Sequence, residues 1–223
     1  MKKLLIALLT LTLSTTSLAQ EKSKDFYFEG SLGTALSNIG TKSGGRGSLK
    51  PGLISNLNIG KHFGPNLMVE TGIDYAPRGL VYNFIGRLFT PTYGRLIQHF
   101  DFISIPARVG FQFGKQVKFY AKQSLNFDLL VRNKSEYLTW YEHESVWKSS
   151  DIFRKTNVST TSTLGFNIPL GNCYFGTSLN TNVSLLNIYK DGYDLYDAND
   201  PIHVGDNAKH ITVDLSMHFG YRF

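Results

Sequence analysis

The residues most able to do chemistry lie near the end of the chain, where Asp214, Ser216 and His218 alternate and so share one face of an extended segment. An acid, a hydroxyl and an imidazole are the parts of a nucleophilic relay. Side chains two apart on a strand are roughly 6.8 Å from each other, too far for Ser216 to bond His218 directly. The spacing therefore predicts interior packing, and no catalytic residue is assigned. A second set, Glu70, Arg108 and Lys122, carries both signs of charge on polar strand faces, each a similar distance from a tight turn. It predicts a buried ion cluster at one height, where loss of one member strands a charge.

Other candidates fall between the strands. Tyr137, Trp140, Tyr141 and Trp147 stand beside Glu136, Glu142 and Glu144, a mixture suited to carbohydrate stacking or protein contact. The segment 79–98 combines Tyr82, Phe84, Phe89 and Tyr93 with Arg87 and Arg95, and reads as a hairpin extension able to meet a glycan or a lipopolysaccharide phosphate. Residues 37–50 are Gly-rich and basic but lack phosphate-loop spacing. Asp191, Asp194, Asp197, Asp200 and Asp206 supply oxygen ligands without the spacing or terminal Glu of an EF-hand, so neither metal nor cofactor is assigned.

These groups are positioned by eight stretches in which apolar and polar residues alternate with a period of two, the signature of strands with two environments. They cover about 25–36, 51–63, 67–76, 100–113, 118–131, 157–169, 173–189 and 210–223. In the third, Leu67, Val69, Thr71, Ile73 and Tyr75 oppose Met68, Glu70, Gly72, Asp74 and Ala76. In the last, Ile211, Val213, Leu215, Met217, Phe219, Tyr221 and Phe223 oppose His210, Thr212, Asp214, Ser216, His218, Gly220 and Arg222. Pro106 cannot donate to a ladder and predicts a bulge or kink.

Residues 1–19 have the form of a secretory signal: Lys2 and Lys3, the apolar run from Leu4 to Leu13, and Ser17-Leu18-Ala19 before a cut. That run is shorter than the roughly 20 residues a spanning helix needs. Residues 20–223 are then one domain. The signal holds two of the 23 basic residues and none of the 17 acidic ones, leaving a modest, scattered positive surplus that excludes a nucleic-acid footprint. Cys173 is the only cysteine, so no intramolecular disulfide forms.

Connections alternate between tight turns, such as Gly64-Pro65-Asn66 and Leu170-Gly171-Asn172, and long polar loops. This is the pattern of an outer-membrane barrel with its turns in the periplasm. Inward faces of Gly, Ser, Asn and paired charges are too polar for a soluble core. Aromatics recur near strand ends (Phe26, Phe63, Tyr75, Phe113, Phe119, Tyr189, Tyr221, Phe223), where interfacial girdles belong. The expectation is an all-β, eight-stranded, up-and-down antiparallel transmembrane barrel in a Gram-negative outer membrane. Such a barrel is narrow enough for side chains to fill it.

The stretches Met68-Val-Glu-Thr-Gly-Ile-Asp-Tyr75 with Arg78-Gly79, Phe102-Ile-Ser-Ile-Pro-Ala-Arg-Val-Gly110, and Lys118 to Val131 resemble the PorT-like outer-membrane barrels of Bacteroidetes. Ser104 stands where many members carry a Glu. The resemblance implies an envelope barrel, and the terminal Phe223 resembles the signal read by the barrel-assembly machinery. The function expected is non-enzymatic: a structural or surface-interaction role through four extracellular loops, among outer-membrane lipids and lipopolysaccharide, with an envelope protein or glycan as partner, as in a secretion complex. The alternatives are an enzyme acting on lipid A or phospholipid, which needs a close Ser/His/acid set at the membrane edge, and a narrow solute channel, which needs water continuity past Glu70, Arg108 and Lys122.

Overall fold

Alternation of apolar and polar side chains forces each extended segment to be shared between two environments, and closing the sheet on itself is the one arrangement that leaves no unpaired edge in lipid. The computed structural model describes residues 25–40, 48–86, 92–139, 145–147, 153–188 and 209–223. The strands are β1 (Phe26–Gly40), β2 (Lys50–Phe63), β3 (Leu67–Gly86), β4 (Thr92–Phe113), β5 (Lys118–Thr139), β6 (Ser145–Trp147), β7 (Thr156–Leu170), β8 (Cys173–Ser184) and β9 (Lys209–Arg222). All pairings are antiparallel, and β1 closes against β9 while β4 pairs β5, so eight strands form a complete barrel. The three residues of β6 only extend the edge of β5.

The apolar faces point outward. Leu32 is 70% exposed, Leu53 72%, Leu164 63% and Met217 63%, and every neighbouring strand adds similar residues to one continuous belt. In water such a belt would be an aggregation surface; in a bilayer it is the solvated face. On β4 it runs from Ile103 to Phe113, which at the usual strand tilt spans about 25 Å, the height of a membrane-facing band. The chain is therefore an integral outer-membrane-type β-barrel. Among the described residues no helix is long and apolar enough to cross a membrane.

Tight turns at residues 64–66, 114–117 and 171–172 mark one end, here called the turn end. Gly64 and Gly171 take φ of 70° and 68°, a left-handed backbone that a side chain would strain. At the opposite, loop end the strands are taller than alternation predicts. β3 runs to Gly86 and β4 begins at Thr92, so the third connection is a tall hairpin rather than a long loop, and β5 continues to Thr139. β8 conversely stops at Ser184, short of the expected 189.

Pro106 does not carry the bulge. The β4–β5 register shifts between Asp101 and Phe102, leaving Val131 as the extra residue. At Pro106 the β3–β4 register is kept, but pairing lapses between Thr71↔Ala107 and Asp74↔Ser104, and Thr71 Oγ1 donates to the Pro106 carbonyl at 2.7 Å.

Three large inward tyrosines fit because each faces a glycine on the next strand. Tyr27 pairs with Gly60, Tyr120 with Gly165 and Tyr174 with Gly220, and a Cβ on any of these glycines would sit inside the tyrosine ring. Gly220→Val should therefore push Tyr174 off its bond to Glu29 and lower stability by about 1–3 kcal/mol, read as a shift of the urea midpoint of the vesicle-embedded protein.

Candidate functional site

The barrel interior is the most elaborately built part of the molecule. Its centre is the pair Glu70 and Arg108, directly opposite each other on β3 and β4, with Lys122 reaching in from β5. Arg108 Nη1 lies 3.1 Å from Glu70 Oε1, and Lys122 Nζ lies 2.8 Å from Glu70 Oε2. The three residues singled out by sequence thus meet around one carboxylate.

Four further residues complete the cluster. Tyr27 donates to Glu70 Oε2 at 2.6 Å, Asp74 pairs with Arg108 Nη2, Asn58 Oδ1 accepts from Arg108 Nη1 at 2.6 Å, and Glu29 lies 3.8 Å from Lys122 Nζ. Glu29 in turn accepts from Tyr174 at 2.9 Å. Asp74 lies on β3 with Glu70, whereas the other partners face the cluster from β1, β2 and β8, where strand alternation gives the face but not the neighbour. The cluster lets every buried charge meet an opposite one, which the low-dielectric interior demands.

Toward the loop end, Arg78 Nη1 bonds Asp128 Oδ2 at 2.8 Å, and Ser104 donates to Asp128 Oδ1 at 2.5 Å; all three are almost wholly buried. Above them an apolar lid closes the lumen: Ile39, Phe100, Phe102, Phe153 and Ile188, with Leu80 and Leu130 packed against it. His210 sits edge-on to Phe100 and Phe102. Toward the turn end, Gln112 donates to the Pro65 carbonyl at 3.0 Å. Side chains fill the lumen at the lid, at the ion cluster and at the turn end.

Asp214, Ser216 and His218 share the inward face, but the first two form one contact and the third another. Ser216 Oγ donates to Asp214 Oδ1 at 2.9 Å, whereas His218 Nε2 lies 2.5 Å from Asn167 Oδ1 and 3.5 Å from the Tyr120 hydroxyl. Serine and histidine are not brought into a relay.

Outside the barrel, the extended β3, β4 and β5 stand above the apolar belt as a sheet whose outer face changes to polar at Asp101 and Arg132, 3.9 Å apart. Beyond them lie Lys134 and Glu136, 2.5 Å apart, with His99 at 3.7 Å from the same carboxylate. The hydrogen bond from Lys134 holds the Glu136 carboxyl below the usual range, and desolvation lowers His99. Of the four loop aromatics, Tyr137 and Trp147 lie on the paired backbones of β5 and β6, while Trp140 and Tyr141 lie outside the described residues, as do the acidic stretch 191–206 and residues 1–19. Among the described residues no group of His, Cys, Asp and Glu could hold a metal ion.

No family model and no curated protein matches the chain. Among solved structures it is similar to Neisserial surface protein A (NspA), at 15% identity over 90% of this chain and 98% of that one, with a TM-score of 0.48. It is also similar to Ail, the attachment invasion locus protein of Yersinia pestis (15%, 89% and 99%, 0.42), and to the N-terminal β-barrel domain of Pseudomonas aeruginosa OprF (7%, 86% and 97%, 0.35).

Proposed function

We propose that this chain is a non-enzymatic surface-interaction barrel, a plugged membrane anchor that holds a tall β3–β4–β5 sheet and its long connections above the outer leaflet. The observation that carries this reading is the contrast between the two regions. The charged groups of the lumen pair with one another beneath an apolar lid, while the sheet above the belt offers charged side chains to the outside. The partner class is a component of the envelope: lipopolysaccharide, a glycan or a secretion-complex protein. Outer-membrane lipids surround the belt, the PorT-like resemblance supports an envelope role, and Phe223 serves insertion by the assembly machinery. The separate bonding of Ser216 and His218 supports the non-enzymatic side of the proposal.

The reading is tested on the refolded protein in detergent and in planar bilayers. The expected result is a heat-modifiable gel shift with no steady conductance, because the lid and ion cluster block water continuity. Steady single-channel conductance would replace this reading with the channel.

A further inference from the structure

The ladder between β2 and β3 is interrupted. It runs from Phe63↔Leu67 to Ser55↔Tyr75, and among the described residues the two segments meet again at the isolated bridge Ser48↔Val81. Over this gap residues 50–54 pair only with β1, and residues 76–80 only with β4. Pro51 and Pro77, one on each side, have no N–H to give to a ladder. Side chains bridge the gap instead: Lys50 Nζ donates to the Arg78 carbonyl at 3.2 Å, and Ser37 Oγ lies 3.3 Å from the carbonyls of Lys50 and Gly79.

Behind this seam, between the lid and the ion cluster, lies a polar cavity of about 70 Å³. It has room for on the order of five waters. All its lining residues belong to the inward faces except two, Ser55 and Tyr75, which are the last pair before the seam. The cavity thus reaches the wall at the one place where the wall lacks backbone pairing between these strands. Four polar atoms on residues that line it are buried without a hydrogen-bonding partner among the described residues: Asp74 Oδ1, Arg78 Nε, Asn182 Oδ1 and Thr212 Oγ1. On the membrane side the seam is bordered by Leu53, 72% exposed, with Leu57 and Ile73 just below.

We propose that the β2–β3 seam is a side entrance through which the uncharged polyol head of a single-chain amphiphile enters the lumenal cavity, its alkyl tail remaining on the outer face against Leu53, Leu57 and Ile73. The free atoms include one cationic donor, two acceptors and a hydroxyl, a set that hydroxyl groups complement because each both donates and accepts. An anionic head would be placed against Asp74 and Asp214, and a cationic one against Arg78 and Arg108, all of which line the same cavity. A three-carbon diol matches the available space. A mobile lid is not needed, since Ile39, Phe100, Phe102 and Phe153 close the axial route and the entry is lateral.

The geometry also supplies the test. A Cβ placed on Gly52 lies 3.5 Å from Pro77 Cβ, within the span of a disulfide, so Gly52→Cys with Pro77→Cys can staple the seam in a Cys173→Ser background. Native mass spectrometry of the full chain in micelles, titrated with 1-monomyristoylglycerol, should show one amphiphile on the parent and on the reduced variant. Oxidation should reduce that occupancy at least about tenfold, and reduction should restore it in the same sample, which controls for folding. Thr212→Val should weaken binding about tenfold through the lost hydrogen bond. Three results would overturn the proposal: binding unchanged by the staple, myristate binding as well as the glyceride (tail adsorption to the belt alone), or free glycerol binding equally whether the seam is stapled or open.

Discussion

Replacing Glu70 with Gln is expected to destabilise the folded barrel by about 3–5 kcal/mol, the cost of leaving a buried cation without its counter-charge. The size follows from the position of this carboxylate. Its two oxygens receive Arg108, Lys122 and the Tyr27 hydroxyl, and both cations are buried. A glutamine keeps the shape but presents only one acceptor and adds an amide donor aimed at other donors. Of their ion pairs, Lys122 would keep the longer one to Glu29 and Arg108 the one to Asp74. Urea unfolding in lipid vesicles, followed by the heat-modifiable gel shift, measures the loss. The companion variant Glu70→Gln with Lys122→Met removes the stranded ammonium and should recover a substantial part of it. A single-variant cost below about 1 kcal/mol would mean that the cluster does not hold the barrel together.

That Glu70, Arg108 and Lys122 converge was legible because each sits on a polar face and can be counted from a tight turn, and the turns pin the register of β3, β4 and β5. Glu29, Tyr27 and Tyr174 were not legible as their partners. Tyr27 reaches Glu70 over Gly60 from two strands away, and Tyr174 meets Glu29 only through closure between β1 and β9; a sequence carries alternation along a strand but no count across strands. The outward apolar belt was readable for the same local reason: Leu32, Leu53 and Met217 lie on faces that alternate cleanly.

The height of β3, β4 and β5 was obscured by chemistry rather than by geometry. Above Tyr75 the outward positions become Asp101, His99, Arg132 and Lys134, so the apolar period ends while backbone pairing continues to Gly86 and Thr139. Period-two hydrophobicity reports where lipid ends, not where the strand ends. The bulge was misplaced for a related reason. Pro106 advertises a missing donor, which costs pairing with β3 without changing register, whereas the inserted residue at Val131 has no distinctive side chain. Asp214, Ser216 and His218 share a face as their spacing requires, but the neighbouring strands supply Asn180 to the acid and Asn167 to the imidazole.

Asp128→Leu is the second substitution with a large expected effect, and its cost should be separable from that of Glu70. Asp128 is fully buried and accepts from both Arg78 and Ser104, so the leucine leaves Arg78 charged beneath an apolar lid, with the Phe102 ring 4.8 Å from its guanidinium carbon as the remaining favourable contact. About 3–5 kcal/mol is expected, and Arg78→Met with Asp128→Leu should be more stable than Asp128→Leu alone, since the pair then becomes an apolar plug continuous with Phe100 and Phe102. The two ion sites lie four residues apart along β4, at Ser104 and Arg108, or about 13 Å. Changes at that separation add to within about 0.5 kcal/mol when they share no partner. The combined Glu70→Gln and Asp128→Leu variant should therefore lose the sum of the two costs. That sum is comparable to the entire stability of a typical domain, so the combined variant should fail to reach the heat-modifiable folded form while either single variant still does. A combined cost well below the sum would instead show that Asp74, which lines the cavity between the two sites, couples them into one network.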